Sequence, residues 1–145
     1  MINISKGLDL PISGKPDLNI ADTPNVSSVS LLSNDFIGMK PTMLVREGDE
    51  VKVGTKLFED KKNEGIFFTS PAGGEIKSIN RGDKRKFLSV EIEISQNEQF
   101  IEYEFEDSID STKNNLISSG LWNAFRTRPF NRTPAINDKP NAIFI

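Results

Sequence analysis

Residues 45–79 read VREGDEVKVGTKLFEDKKNEGIFFTSPAGGEIKSI, and this stretch decides the fold class. Short apolar runs alternate with turn-forming clusters. Arg46-Glu47-Gly48-Asp49-Glu50 is the first turn, with Gly48 free to take a positive φ, and Gly54 makes a second after Val51 and Val53. Lys56 to Glu59 predicts a strand, 60–65 (DKKNEG) a polar turn, and Ile66 to Thr69 a returning strand. Pro71 to Gly74 turns the chain again and feeds a strand from Glu75 to Ile79. Many short strands with turns between them describe a small β-barrel or sandwich.

Working outward, 81–86 (RGDKRK) reads as a charged hairpin tip, followed by alternation of Leu88, Val90, Ile92 and Ile94 with polar neighbours. Ile101, Tyr103 and Phe105 alternate with Glu102, Glu104 and Glu106, which predicts a further strand with a wet acidic face. On the amino-terminal side, Gly7, Pro11, Gly14, Pro16 and Pro24 punctuate an arm, and 26–32 (VSSVSLL) suits a strand or a short helical turn equally. After residue 107, Asp110 or Ser111 can cap a helix running to about Ser119, with Gly120 at the position beyond its end. Ile117, Leu121 and Phe125 are spaced for one helical face, so one broken helix or two short ones extend to about 126. Pro129, Pro134 and Pro140 then impose irregular chain. The apolar residues 141–145 (NAIFI) predict the start of a buried strand and a chain that continues beyond Ile145. The expected organisation is an arm over 1–41, a β-domain over 42–107, and a helical and extended segment over 108–145.

Composition restricts the chemistry. The 145 residues contain no Cys and no His, so thiolate-held clusters, Cys/His zinc sites and His-based acid–base catalysis have no donors. No catalytic residue and no metal ligand set is expected. The pattern G-x-G-x-x-G is missing, and Gly73-Gly74 is explained as a turn. Net charge is −3, which disfavours nucleic acid as a partner. That charge is uneven: residues 1–107 carry 13 basic and 19 acidic side chains, whereas 108–145 carry 5 and 2. No stretch approaches the roughly 18 apolar residues needed to span a bilayer.

The 45–79 stretch resembles biotinyl/lipoyl carrier domains in its V-x-x-G-D-x-V-x-x-G-x-x-L-x-E opening and its later S-P-x-x-G-x-I segment. The resemblance implies a barrel-sandwich hybrid. In a carrier a single lysine stands at the hairpin tip; here Lys61 and Lys62 follow Leu57 closely, with Asn63-Glu64-Gly65 beyond them. Further blocks resemble the NqrA component of the sodium-translocating NADH:quinone reductase: 6–16 (KGLDLPISGKP), 38–43 (GMKPTM), 57–63 (LFEDKKN), 119–122 (SGLW) and 126–130 (RTRPF), all in the expected order. This implies a peripheral subunit on the cytoplasmic side of the bacterial inner membrane, in a complex that oxidises NADH, reduces ubiquinone and exports sodium. It further implies contact with the other subunits, especially the membrane B subunit, and a Rossmann-like α/β region after this segment. Flavins and iron–sulfur centres would belong to other subunits, leaving no cofactor on this chain. Two alternatives stand beside it: a lipoyl- or biotinyl-type swinging arm modified at Lys61 or Lys62, and the related Rnf-type electron-transport subunit.

Within this frame 122–132 (WNAFRTRPFNR) is the candidate contact segment. Trp122, Phe125, Arg126, Arg128 and Phe130 combine rings with guanidinium forks, which suit a quinone headgroup, an acidic neighbouring subunit or lipid phosphates. Equally, the rings can pack a helix against the β-domain while the arginines remain solvated.

Overall fold

The computed structural model describes residues 7, 11–20, 22 and 24–143. Among the described residues, seven strands form two sheets. The first has the order β1-β7-β6-β3, built from Ser28–Leu32 (β1), Phe87–Ile94 (β7), Gly74–Arg81 (β6) and Glu50–Val51 (β3). The second has the order β2-β4-β5, from Pro41–Met43, Lys56–Asp60 and Phe67–Thr69. All strand pairings within the sheets are antiparallel. The two sheets enclose a core in which Leu57, Phe58, Ile66, Ile76, Val90 and Ile92 are almost wholly buried. This is the mainly β architecture with a helical appendage that the turn spacing predicts.

Strand 26–32, open between two conformations in the sequence, is settled by its partner: Ser28 to Leu32 pair with Ser89 to Glu93 of β7. The first strand of the main sheet therefore begins at Ser28, and β2 opens at Pro41.

Bulges shift the side-chain alternation. In β4 the register moves from Lys56 opposite Thr69 to Phe58 opposite Phe68, leaving Leu57 as the extra residue. An extra residue resets the two-residue period, so Leu57 and Phe58 are both fully buried though adjacent. The β6–β7 ladder does the same where Asn80 faces Ser89 and Arg81 faces Phe87. Here Leu88 is the extra residue and remains 42% exposed, while Phe87 points into the core. The simple alternation that placed Leu88 with Val90 and Ile92 is corrected at this point.

Gly74 opens β6 between two ladders, facing Val51 on one side and Ile94 on the other. A Cβ there would meet the Glu93 carbonyl oxygen, so only glycine permits this approach. The core itself is centred on aromatic rings. Phe58 stacks on Phe68 with centroids 4.7 Å apart, Phe36 meets Phe68 edge-on at 4.4 Å, and Phe87 meets Phe58 edge-on at 5.2 Å.

Residues 101–106 are not a strand. They run extended, tied to the sheet by one parallel bridge between Val53 and Phe100 and by the Ile101 N–H donating to the Val53 carbonyl at 2.9 Å. Alternation marks extended chain, but a ladder needs a facing strand. Here the neighbour is the helix Ile109–Ser118 (α1): Tyr103 donates to the Ser118 carbonyl at 3.3 Å and Asn115 to the Glu104 carbonyl at 2.8 Å. Residues 141–143 likewise form no strand, and the rest of the strand expected over 141–145 lies outside the described residues.

Two measurements test this packing. Phe58→Ala removes the ring shared by Phe68 and Phe87, and urea unfolding should show a loss of about 3–5 kcal/mol, against under about 1 for Leu88→Ala. Tyr103 is the single tyrosine, and burial raises its phenol above the ordinary 10.0. Ultraviolet titration should place its ionisation above that value. Because the folded state favours the protonated phenol, its contribution to stability is complete below about pH 10 and is lost as pH rises through the folded value.

Candidate functional site

The carboxy-terminal segment docks on the free edge of β5. Ser108 caps α1, its hydroxyl accepting from the Ser111 N–H, so the cap lies two residues before Asp110. After the Ser119 C-cap, Gly120 takes φ 78°, and the chain enters a 3-10 turn over Leu121–Ala124. A Cβ at Gly120 would lie 2.6 Å from Thr69 Oγ1, so the close pass over β5 also requires glycine. This break disperses the face expected from Ile117, Leu121 and Phe125. Leu121 is 60% exposed, and Trp122 instead packs against the core.

Side chains, not ladder bonds, cover the edge. Thr69 Oγ1 donates to the Ser119 carbonyl at 2.8 Å, and buried Asn123 donates from Nδ2 to the carbonyls of Phe67 at 2.6 Å and Gly120 at 3.1 Å. An edge strand finished in this way cannot template further pairing. Asn123 was missed in the sequence because a lone polar residue between Trp122 and Ala124 carries no periodic signal.

Trp122 Nε1 donates to the Pro134 carbonyl at 3.0 Å, and its ring meets Phe125 edge-on at 5.4 Å. Arg126 is half-buried. It donates to Thr133 Oγ1 at 3.0 Å and to the Asp35 carbonyl at 3.5 Å, and its guanidinium lies 5.6 Å from the centre of the Phe36 ring. From the β4–β5 turn, Asn63 Nδ2 reaches the Thr133 and Pro134 carbonyls at 3.4 and 3.3 Å. Trp122 and Arg126 thus tie the segment down from within.

Arg128 and Phe130 stand apart from them. Thr127 N–H donates to the Arg132 carbonyl, and Asn131 N–H to the Thr127 carbonyl, both at 2.8 Å, closing a loop over 127–132. Arg128 and Phe130 are carried at its tip, with Phe130 71% exposed and Phe125 at its margin. The five candidate residues therefore share one segment but not one surface.

The remaining sequence candidates occupy turns. Lys61 and Lys62 lie in the β4–β5 turn, where Lys62 Nζ donates to the Gly38 carbonyl at 3.0 Å. Among the described residues no group of three or more His, Cys, Asp or Glu could hold a metal ion, and no helix is long and apolar enough to cross a membrane.

Two antiparallel sheets, between which the chain passes repeatedly and which close on one apolar core, fit a barrel-sandwich hybrid. The family model of the NqrA N-terminal barrel-sandwich hybrid domain matches residues 2–95, and that of the NqrA second alpha/beta domain matches 108–145, beginning at the α1 cap. The chain belongs to this NqrA family. Similar proteins are the A subunits of the Na(+)-translocating NADH-quinone reductases of Yersinia pseudotuberculosis, Glaesserella parasuis and Cellvibrio japonicus, at 51%, 50% and 48% identity. Each likeness covers the whole chain but 34% of the relative, so the chain spans about a third of their length.

The two arginines should separate on mutation. Arg126→Ala loses hydrogen bonds and a ring contact, and should cost about 1–2 kcal/mol in thermal or urea unfolding. Arg128→Ala should leave stability within about 0.5 kcal/mol.

Proposed function

We propose that the chain serves as the amino-terminal part of the NqrA component in a sodium-translocating NADH:quinone reductase, and that within it this part is a scaffold without a redox centre. The carrying observation is likeness at about half identity along the entire chain to proteins bearing that name, with both NqrA domain models matched in order. A sequence without Cys or His supports a role without an iron–sulfur centre for this part, since such clusters need thiolate donors it lacks. NADH, ubiquinone, flavins and iron–sulfur centres then belong to the assembled complex, and the position proposed for this chain is peripheral, on the cytoplasmic side of the inner membrane.

In this reading the 127–132 loop is the contact element. An exposed ring beside an exposed guanidinium, on a loop fixed by its own hydrogen bonds, presents a desolvatable surface at small entropic cost. Its partner is another component of the complex, with the membrane B subunit the leading choice, and ubiquinone is the small-molecule alternative at the same loop. A swinging-arm role is less well supported, because Lys62 is tethered to the Gly38 carbonyl.

The paired substitution Arg128→Glu with Phe130→Ser in the intact complex tests this. It should lower recovery of assembled complex or quinone reduction about tenfold, corresponding to roughly 1.4 kcal/mol, while the variant chain keeps its unfolding midpoint. Unchanged assembly and turnover would refute the contact role.

A further inference from the structure

A second feature lies away from the 127–132 tip. The loop 33–41 and the β6–β7 turn face each other across an open cavity of about 530 Å³. Lys40, Arg81, Lys84, Arg85 and Lys86 line it, and no carboxylate does. The two segments also contain Asp35 and Asp83, neither of which is in the lining. In a chain of net charge −3, five cations around one cavity are a strong local reversal.

These cations are not used to hold the fold by ion pairing. Among the described residues the one ion pair is Lys77 with Glu91, on the outside of the β6–β7 ladder. Of the five, Arg81 makes a long hydrogen bond to the Arg85 carbonyl at 3.4 Å, which leaves its charge unneutralised. The turn is shaped by its backbone: the Gly82 N–H donates to the Lys86 carbonyl at 2.8 Å, and Lys84 and Arg85 both take positive φ, 53° and 61°. Two consecutive charged residues in a conformation that L side chains rarely adopt keep Arg81 and Lys86 at the base and Lys84 and Arg85 at the tip. Behind the opposite wall, Lys62 Nζ bonds the Gly38 carbonyl and Arg126 reaches the Asp35 carbonyl, adding positive charge to the same loop. Like charges crowded on a concave surface repel, and a bound anion relieves that repulsion while the walls focus the field on it.

We infer that this cavity is a binding site for a phosphate group of more than one negative charge. Its volume suits a small group and not a folded partner, and lysine and arginine forks supply the charge-assisted donors that phosphate oxygens accept. Ile37, half-exposed on the rim, gives room for an apolar body attached to that phosphate. A soluble phosphate compound and an anionic lipid headgroup share this chemistry. The site stands whether or not the chain serves in the proposed complex.

Calorimetric titration of the full chain with pyrophosphate, in parallel with sedimentation on phosphatidylglycerol and phosphatidylcholine vesicles, tests it. Saturable pyrophosphate binding that weakens with added salt is expected. Lys84→Gly with Arg85→Gly should weaken it about tenfold or more while the turn persists, since glycine accepts positive φ, and Lys113→Gln should change nothing. Sedimentation on phosphatidylglycerol but not phosphatidylcholine vesicles, competed by pyrophosphate, would identify a headgroup as the source; pyrophosphate binding without sedimentation would identify a soluble phosphate. Absence of saturable pyrophosphate binding, insensitivity to the double glycine variant, or equal binding of a glutamate-rich peptide would overturn the inference.

Discussion

The stacking of Phe68 on Phe58 is the contact on which the rest of the structure depends. Phe58 belongs to the middle strand of the three-stranded sheet and Phe68 to its edge, and Phe87 from the other sheet closes on Phe58. The same Phe68 ring receives Phe36 edge-on, and the outer face of Phe36 lies under the Arg126 guanidinium. A continuous line of contacts therefore runs from the centre of the core to Thr133, crossing both sheets and the carboxy-terminal segment. Small domains bury limited apolar area, so one aromatic cluster shared by several elements contributes a large part of the cohesion.

That line explains why the carboxy-terminal segment stays on the β-domain without adding a strand to it. Edge β5 is short, and its exposed groups are satisfied by Asn123 and by Thr69 bonding Ser119. Side-chain capping of an edge fixes position without requiring matched registers along several residues. The segment can consequently bend sharply at Gly120 and again over 127–132, which a ladder would forbid. Indeed, it is this freedom that leaves Phe130 outside while Trp122 is drawn inward.

The strands from 50 to 94 were legible because turn residues punctuate them and each run is bounded by glycine, proline or a charged tip. The resemblance to biotinyl/lipoyl carrier domains was legible for the same reason: its motifs are those turns. The bulges were not legible, since an extra residue such as Leu57 or Leu88 leaves the composition of a strand unchanged and alters only which neighbour faces it. The fate of 101–106 was hidden likewise. Alternating Ile101, Tyr103 and Phe105 specify extended chain, but whether a strand or a helix lies alongside is decided by residues elsewhere. In the candidate segment 122–132, the sequence could not divide inner residues from outer ones. Arg126 has the same chemistry as Arg128, and Trp122 differs from Phe130 chiefly by an indole donor; the positions of Pro134, Thr133 and Phe36 make the first pair internal.

Charge follows a similar rule. The excess of base over acid in residues 108–145 is a linear statistic, yet the fold brings Arg126 up to a loop that also meets Lys62 and faces the β6–β7 turn. Positive side chains from separate parts of the sequence thereby converge on residues 33–41, while the acidic run at 102–107 lies beside α1. Such separation raises the electrostatic self-energy of the isolated chain, because like charges are gathered instead of interleaved. Folding alone gives no reason for it: scattered ion pairs would cost less and leave the same core. A fold stabilised by aromatic contacts and edge capping tolerates this arrangement, and the tolerance is what leaves its surface charge available for recognition.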